Sequence, residues 1–123
     1  WTDGALADFS GFINTKVIKT IQGLSDTEHI SRELNNFNQK MTNNKMFSDW
    51  YIPAAGQMAL MALNITQINE ALERIGGEPI NGNYWTSTEC SKGESWGFDF
   101  NSNYILPCSK SSWRSLRLIR NIE

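Results

Sequence analysis

Apolar positions recur at helical spacing through the first two thirds of the chain and at strand spacing through the last third. After Asn14, the residues Val17, Ile18, Ile21 and Leu24 fall on one face, with Gly23 near the end of that run, which predicts a first helix. Ser25 followed three residues later by Glu28 makes a capping box, in which hydroxyl and carboxylate satisfy two orphan amides. Behind it Ile30, Leu34, Phe37 and Met41 recur at steps of four, three and four, predicting a second helix that ends at the "TNNK" stretch. Next comes "DWYIP", a short aromatic entry whose Pro53 suits the start of a helix. Met58, Met61, Ile65, Ile68, Leu72 and Ile75 then alternate steps of three and four up to Gly76-Gly77, a natural left-handed terminator. Asn64 with Gln67 offers a second cap inside this run, so it reads either as one long helix or as two meeting at Asn64. The two methionines of the stripe read as core filler.

Beyond the glycines the period changes to two. "YWTSTE", "SWGFDF", "YILPC" and "SLRLIRNI" are four candidate strands, and "NSN" at 101–103 reads as the turn of a hairpin. In "WGFDF", Trp96, Phe98 and Phe100 alternate with Gly97 and Asp99, the pattern of a strand buried on one face. Leading helices followed by an antiparallel sheet predict an α+β domain.

Composition narrows the function classes. At 123 residues one domain with its own core is expected, and 40% hydrophobic with 20% charged residues is ordinary for a globular chain. A net charge of −2 argues against nucleic acid as a partner. No apolar run reaches the roughly 20 residues of a membrane span. The chain opens on Trp1 instead of Met, so it is expected to be the C-terminal part of a longer protein. Cys90 and Cys108 allow at most one disulfide; lying in a polar, loop-rich region, they read as free thiols.

Candidate chemistry is thin. His29 is the single histidine and reads as a surface residue of a helix, so a Ser–His–Asp or Cys–His catalytic pair would depend on it alone. Histidine and cysteine are too few for a zinc-type site; Asp, Glu and Asn oxygens leave a calcium site open, but no Asp-x-Asp-x-Asp-Gly loop appears, and neither metal nor other cofactor is expected. Glu89, Glu94 and Asp99 are the carboxylates from which a catalytic pair would be drawn. Asn64-Ile65-Thr66 is formally a glycosylation sequon. What stands out instead is the mixture of Trp, Tyr, Ser and Asn from Asn83 onward. Aromatic rings supply rigid contact area, and small polar side chains supply adaptable hydrogen bonds, the composition of recognition loops. Within it Trp85, Trp96, Phe98 and Phe100 are expected in the core. Cys90, Ser91, Lys92, Glu94, Asn101, Asn103, Tyr104, Ser111, Ser112 and Trp113 are expected in exposed turns.

"ADFSGFINT", "DWYIPAAGQM", "INEALERIGG", "YWTSTE" and "SLRLIRNI", in that order, give the chain a resemblance to the bacterial domain of unknown function DUF1566. The same kind of domain stands at the C-terminus of a Legionella collagen-like adhesin. The resemblance spans nearly the whole chain, and "DWYIPAAGQM" followed by "YWTSTE" is its most specific part. It implies a C-type-lectin-like fold, with helices packed on a small twisted antiparallel sheet, in a secreted, cell-surface or virion-borne binding protein, as in gut Bacteroides and their phages. Some similar domains are the variable proteins of diversity-generating retroelements, in which a C-terminal patch is diversified at adenine-containing codons. Laid on this chain, that scheme keeps "YWTSTE", Trp96, Phe98, Phe100, Lys110, Arg117 and Arg120 as framework. It diversifies Cys90, Ser91, Lys92, Glu94, Asn101, Ser102, Tyr104, Leu106, Cys108, Ser109, Ser111, Ser112 and Trp113, with Leu106 and Trp113 fitting adenine-codon diversification least well. The Glu-Pro-Asn and Trp-Asn-Asp calcium motifs of animal sugar-binding C-type lectins are absent, since Glu78-Pro79 is followed by Ile80.

The expectation is therefore a non-enzymatic ligand-binding module. Its surface comprises Cys90, Ser91, Lys92, Glu94, Asn101, Ser102, Asn103, Tyr104, Cys108, Ser111, Ser112 and Trp113, with Tyr104 and Trp113 as anchors and a protein or glycan as partner. Arg117 and Arg120 are expected in structural ion pairs or hydrogen bonds. Two other readings are an oxidase related to formylglycine-generating enzymes, which would need Cys90 and Cys108 paired, and a structural component of a pilus or phage tail.

Overall fold

A computed structural model of the chain describes residues 2–20, 28–45, 48–91, 93–109 and 115–121. Helices α1 (Thr2–Leu6), α2 (Gly11–Thr20), α3 (Glu28–Asn43), α4 (Ala55–Leu63) and α5 (Ile65–Arg74) precede strands β1 (Asn83–Ser91), β2 (Glu94–Asp99) and β3 (Tyr104–Ser109). The strands form one antiparallel sheet in the order β1-β2-β3. The architecture is α+β, as the change of period predicts.

The sheet is covered on both faces. Tyr84, Phe98 and Ile105 are opposite one another across the three strands, as are Trp85, Gly97 and Leu106 in the next row. The first row joins Ala5, Ala55, Met58, Ile80, Trp96 and Phe100 in a core built under α1 and α4. There Phe100 meets Tyr84 edge-on at 5.6 Å and Phe98 at 4.7 Å. The second row belongs to a separate core, in which Trp85 and Cys108 pack with Leu34 of α3 and Ile52, and Leu106, Leu116 and Leu118 close its sides. The expected half-buried β2 is therefore buried on both faces from Ser95 to Phe98. Gly97 is small because its neighbour is close: a Cβ there would stand 2.8 Å from the Cys108 sulfur.

Several expected helix boundaries shift. α1 has no counterpart in the apolar pattern, and α2 begins at Gly11, ahead of Asn14. Val17, expected on its inner face, is exposed, while Thr15 is the residue that turns inward. Ile21, Gly23, Leu24 and Ser25, with the predicted capping box, lie outside the described residues. In α3, Leu34 is fully buried and Phe37 and Met41 partly so, as their spacing predicts. The long run does divide at Asn64, yet Asn64 does not cap α5; its side-chain amide donates back to the Leu60 carbonyl at 3.0 Å. Gly76, at φ +76°, closes the helical run. The Asn69 side chain then pins the following loop, donating to the Ile80 carbonyl (3.1 Å) and accepting from its amide (2.7 Å).

"SLRLIRNI" is not a fourth strand. Ser115 accepts from the Trp85 amide at 2.9 Å, and Ile119 exchanges two backbone bonds with Tyr51 (2.8 and 2.9 Å), each as an isolated bridge. The reason is that the β1 edge is already engaged: the Ser87 amide donates to the Pro53 carbonyl at 2.9 Å. The last segment therefore spans from β1 to the Tyr51 backbone instead of running along one strand.

The point that ties these parts together is the N-terminus of α4, where the helix leaves its first amides without intrahelical acceptors. Ala54 has no polar side chain to cap them; Gln57 in the same first turn supplies one partner and the others come from elsewhere in the fold. The Ala54 amide donates to Gln57 Oε1 (2.9 Å), the Ala55 amide to Thr88 Oγ1 (2.8 Å), and the Gly56 amide to the Asp8 carbonyl (2.9 Å). Thr88 in turn donates to Asp8 Oδ2 (2.9 Å), which also receives Asn14 Nδ2 (2.8 Å), while Asp8 Oδ1 accepts the Ser10 amide (2.9 Å). Thr88 reaches that position because β1 bulges between Trp85 and Glu89, a distortion held by Thr86 Oγ1 on the Trp96 carbonyl (2.7 Å) and Ser95 Oγ near the carbonyls of Thr86 and Thr88 (3.1 Å each).

Burial by itself would raise the Asp8 carboxyl, but the bonds from Ser10, Asn14 and Thr88 outweigh it and hold its pKa below the ordinary value. A depressed carboxyl stabilises the fold above its unfolded pKa, and that contribution is lost as pH falls through the folded value. Asp8→Asn places an amide donor against two donors. It should cost about 1–3 kcal/mol at pH 7, and the gap from wild type should narrow steadily as urea melts are repeated from pH 5 down to pH 2.5. A gap that stays constant over that range would contradict the assignment.

Candidate functional site

The sheet distributes the expected surface residues between its two ends. Ser91 and Glu94 face each other at the β1–β2 hairpin, where Ser91 Oγ lies 3.4 Å from Glu94 Oε1 and both residues are exposed. Asn101, Ser102, Asn103 and Tyr104 occupy the β2–β3 turn at the opposite end. The length of β2 separates the two groups by roughly 17 Å at about 3.4 Å per residue, so the single patch expected of residues 90–113 is two edges. Lys92, Lys110, Ser111, Ser112 and Trp113 lie outside the described residues.

Cys108 leaves the expected set, because it is 3% exposed and part of the second core. Cys90 is half-buried on the other face against the first core; burial, then the neighbouring Glu94 carboxylate, push its thiol pKa up, so it stays protonated at neutral pH. β1 and β3 flank β2, about 9–10 Å apart, and the two thiols are on opposite faces, beyond the span of a disulfide. Both cysteines are free. The paired-thiol site that an oxidase would need is not assembled. Nor do Glu94 and Asp99 make a carboxylate pair: they stand at opposite ends of β2, and Asp99 is occupied in the turn. Among the described residues no group of three or more His, Cys, Asp and Glu gathers to hold a metal ion.

The β2–β3 turn is built to present side chains. Asp99 receives the Asn101 amide on Oδ1 (2.8 Å) and the Ser102 hydroxyl on Oδ2 (2.9 Å), and its carbonyl receives the Asn103 amide (2.7 Å). Asn103 adopts φ +59°, a left-handed conformation that asparagine tolerates better than most residues. Ser102 is thus committed to holding the turn. The side-chain amides of Asn101 and Asn103 and the Tyr104 hydroxyl make no hydrogen bond among the described residues, and Tyr104 is 56% exposed.

Beside this turn opens an apolar hollow of about 420 Å³. Leu6 of α1 with Ala59, Ala62 and Leu63 of α4 form one wall; Phe98, Asn103, Tyr104 and Ile105 form the other. The helical wall is the part that reading the sequence missed. The sequence does carry one signal, since Leu63 falls off the Met58–Met61–Ile65 stripe; in the structure it is 82% exposed.

No family model, no curated protein and no solved structure matches the chain. Three segments distant in the sequence converge at the start of α4. Asp8 and Asn14 of "ADFSGFINT", Ala55 of "DWYIPAAGQM" and Thr88 of "YWTSTE" meet in the hydrogen-bond network at the start of α4. Their role is to hold the scaffold, whereas the exposed turn residues lie outside them.

Proposed function

We propose that this domain is a ligand-binding module of the C-type-lectin-like kind, displayed on a cell or virion surface, that grips a protein or glycan without transforming it. The observation that carries the reading is the juxtaposition of a half-exposed Tyr104 and the unengaged Asn103 amide with an apolar hollow of about 420 Å³. Ligand sites are typically concave and mostly apolar, with a few polar groups that orient the occupant. The Tyr104 ring stacks on an apolar or sugar face, its hydroxyl and the Asn101 and Asn103 amides choose among hydrogen-bond patterns, and Leu63 closes the opposite side. Cys90, Ser91 and Glu94 form a second edge, and variation there leaves the hollow unchanged. Diversification of the exposed positions belongs to the same reading, and a reverse-transcriptase gene beside a near-copy of codons 84–121 would support it.

The test is a glycan-array and whole-cell binding screen followed by titration of the best hit. Tyr104→Ala should weaken binding by about 1–2 kcal/mol, roughly five- to thirtyfold in Kd, with circular dichroism and melting temperature unchanged. Leu63→Asp should act similarly, and Glu94→Ala should leave the affinity alone. Binding that survives both Tyr104→Ala and Leu63→Asp would refute the assignment of the site.

A further inference from the structure

The two arginines of the final segment have different environments. Arg120 is paired with Asp49, its Nε 2.9 Å from Oδ1, and the guanidinium holds that carboxyl below its ordinary range. Arg117, expected in a similar structural pair, makes no hydrogen bond or ion pair among the described residues although it is half-buried. It lines a groove of about 390 Å³ together with Phe37, Trp50, Leu116 and Leu118. Phe37 and Trp50 meet edge-to-face at 5.9 Å and 88°, which gives that part of the wall a defined shape. Leu116 and Leu118 are anchored in the second core, so the groove is set on the face of the sheet away from the Tyr104 hollow.

A guanidinium drawn partly out of water with no acceptor among the described residues is under-compensated, and its planar fork matches a carboxylate. The remaining lining is aromatic and aliphatic, and the volume is that of a small-molecule site. We propose that this groove binds a low-molecular-weight monocarboxylate carrying one aromatic or branched apolar group. The carboxylate lies on Arg117 and the apolar group against Phe37, Trp50 and the leucines. The inference is independent of the Tyr104 surface.

Phenylacetate and its neutral analogue phenylacetamide are suitable probes, titrated into isotope-labelled protein while the backbone amides of residues 116–118 and the Trp50 indole are followed by NMR. The carboxylate should give saturable shifts at those positions, with the amide at least ~tenfold weaker. Arg117→Gln should bring the two probes to the same affinity, Arg117→Lys should retain a preference for the acid, and Tyr104→Ala should change neither. Equal binding of acid and amide to the wild type overturns the proposal, and that comparison stands even if an Arg117 variant fails to fold. So does retained acid preference in Arg117→Gln, shifts confined to other parts of the protein, or a response to a peptide with a free C-terminus and none to phenylacetate.

Discussion

Gly56→Ala should destabilise the fold by about 2 kcal/mol, although the position is in the first turn of a helix, where alanine is intrinsically favoured by about 1 kcal/mol. The added Cβ would fall 2.5 Å from the Asp8 carbonyl oxygen, 2.6 Å from that of Leu6 and 3.0 Å from the Phe9 ring. Two of those three neighbours are backbone, which cannot turn aside as a side chain can. Retreat of the 6–8 segment would also stretch the bond from the Gly56 amide to the Asp8 carbonyl. Overpacking costs of about 1–3 kcal/mol, together with a weakened hydrogen bond of about 1 kcal/mol, exceed the gain in propensity. Denaturant melts decide the matter by sign alone. A variant as stable as wild type, or more so, would mean that α1 and α4 do not approach each other this closely.

Trp85→Ala should have the larger effect, about 3–5 kcal/mol. Trp85 is 1% exposed and fills the second core between Leu34, Ile52 and Cys108. The pieces around it come from α3, the segment after it, β3 and the tail, which are distant in sequence and cannot all collapse into the space an indole leaves. For a domain of this length the loss corresponds to a fall in Tm of roughly 10–20 °C. Trp85→Phe should lose less, since part of the volume remains. If Trp85→Ala melted within a degree or two of wild type, the second face of the sheet would not be covered as described. The contrast with Tyr104 separates scaffold from surface: two aromatic residues of the sheet's two outer strands are expected to act on different measurements, one on melting and the other on affinity.

Some of this architecture was legible in the pattern of residues. The stripe from Met58 to Leu72, the break at Asn64, the stop at Gly76 and the 101–103 turn follow from local rules, because helical period, left-handed glycine and turn-forming asparagine are properties of neighbours in the chain. The inward positions Leu34, Trp85, Trp96, Phe98 and Phe100 were legible for the same reason. α1 was not, since a five-residue helix is too short to show a period. "SLRLIRNI" read as a strand because Leu116 and Leu118 alternate with Arg117 and Ile119, yet alternation records only which side chains share a side and not whether an edge is free to pair.

The candidate site was legible in kind and not in place. Exposure of Asn101, Asn103 and Tyr104 followed from turn chemistry, while Cys108 looked equally available and is buried. The difference arises from the second layer: Leu34 and Ile52 lie over β3, and nothing in "YILPC" announces a helix some 70 residues earlier in the chain. The hollow has the same origin, since one of its walls comes from α1 and α4 and the other from β2, β3 and the turn between them.

By itself the order of residues determined which stretches coil, which extend and where the chain turns, because those preferences reside in backbone dihedrals and in side chains a few positions apart. Only the tertiary structure decided that both faces of the sheet are covered, that one set of expected contact residues splits between opposite ends of β2, and that Arg117 has no counter-charge among the described residues beside an aromatic groove. Each of those depends on where distant segments come to rest, and their meeting is fixed by bulges, borrowed helix caps and two-sided packing that no local pattern encodes.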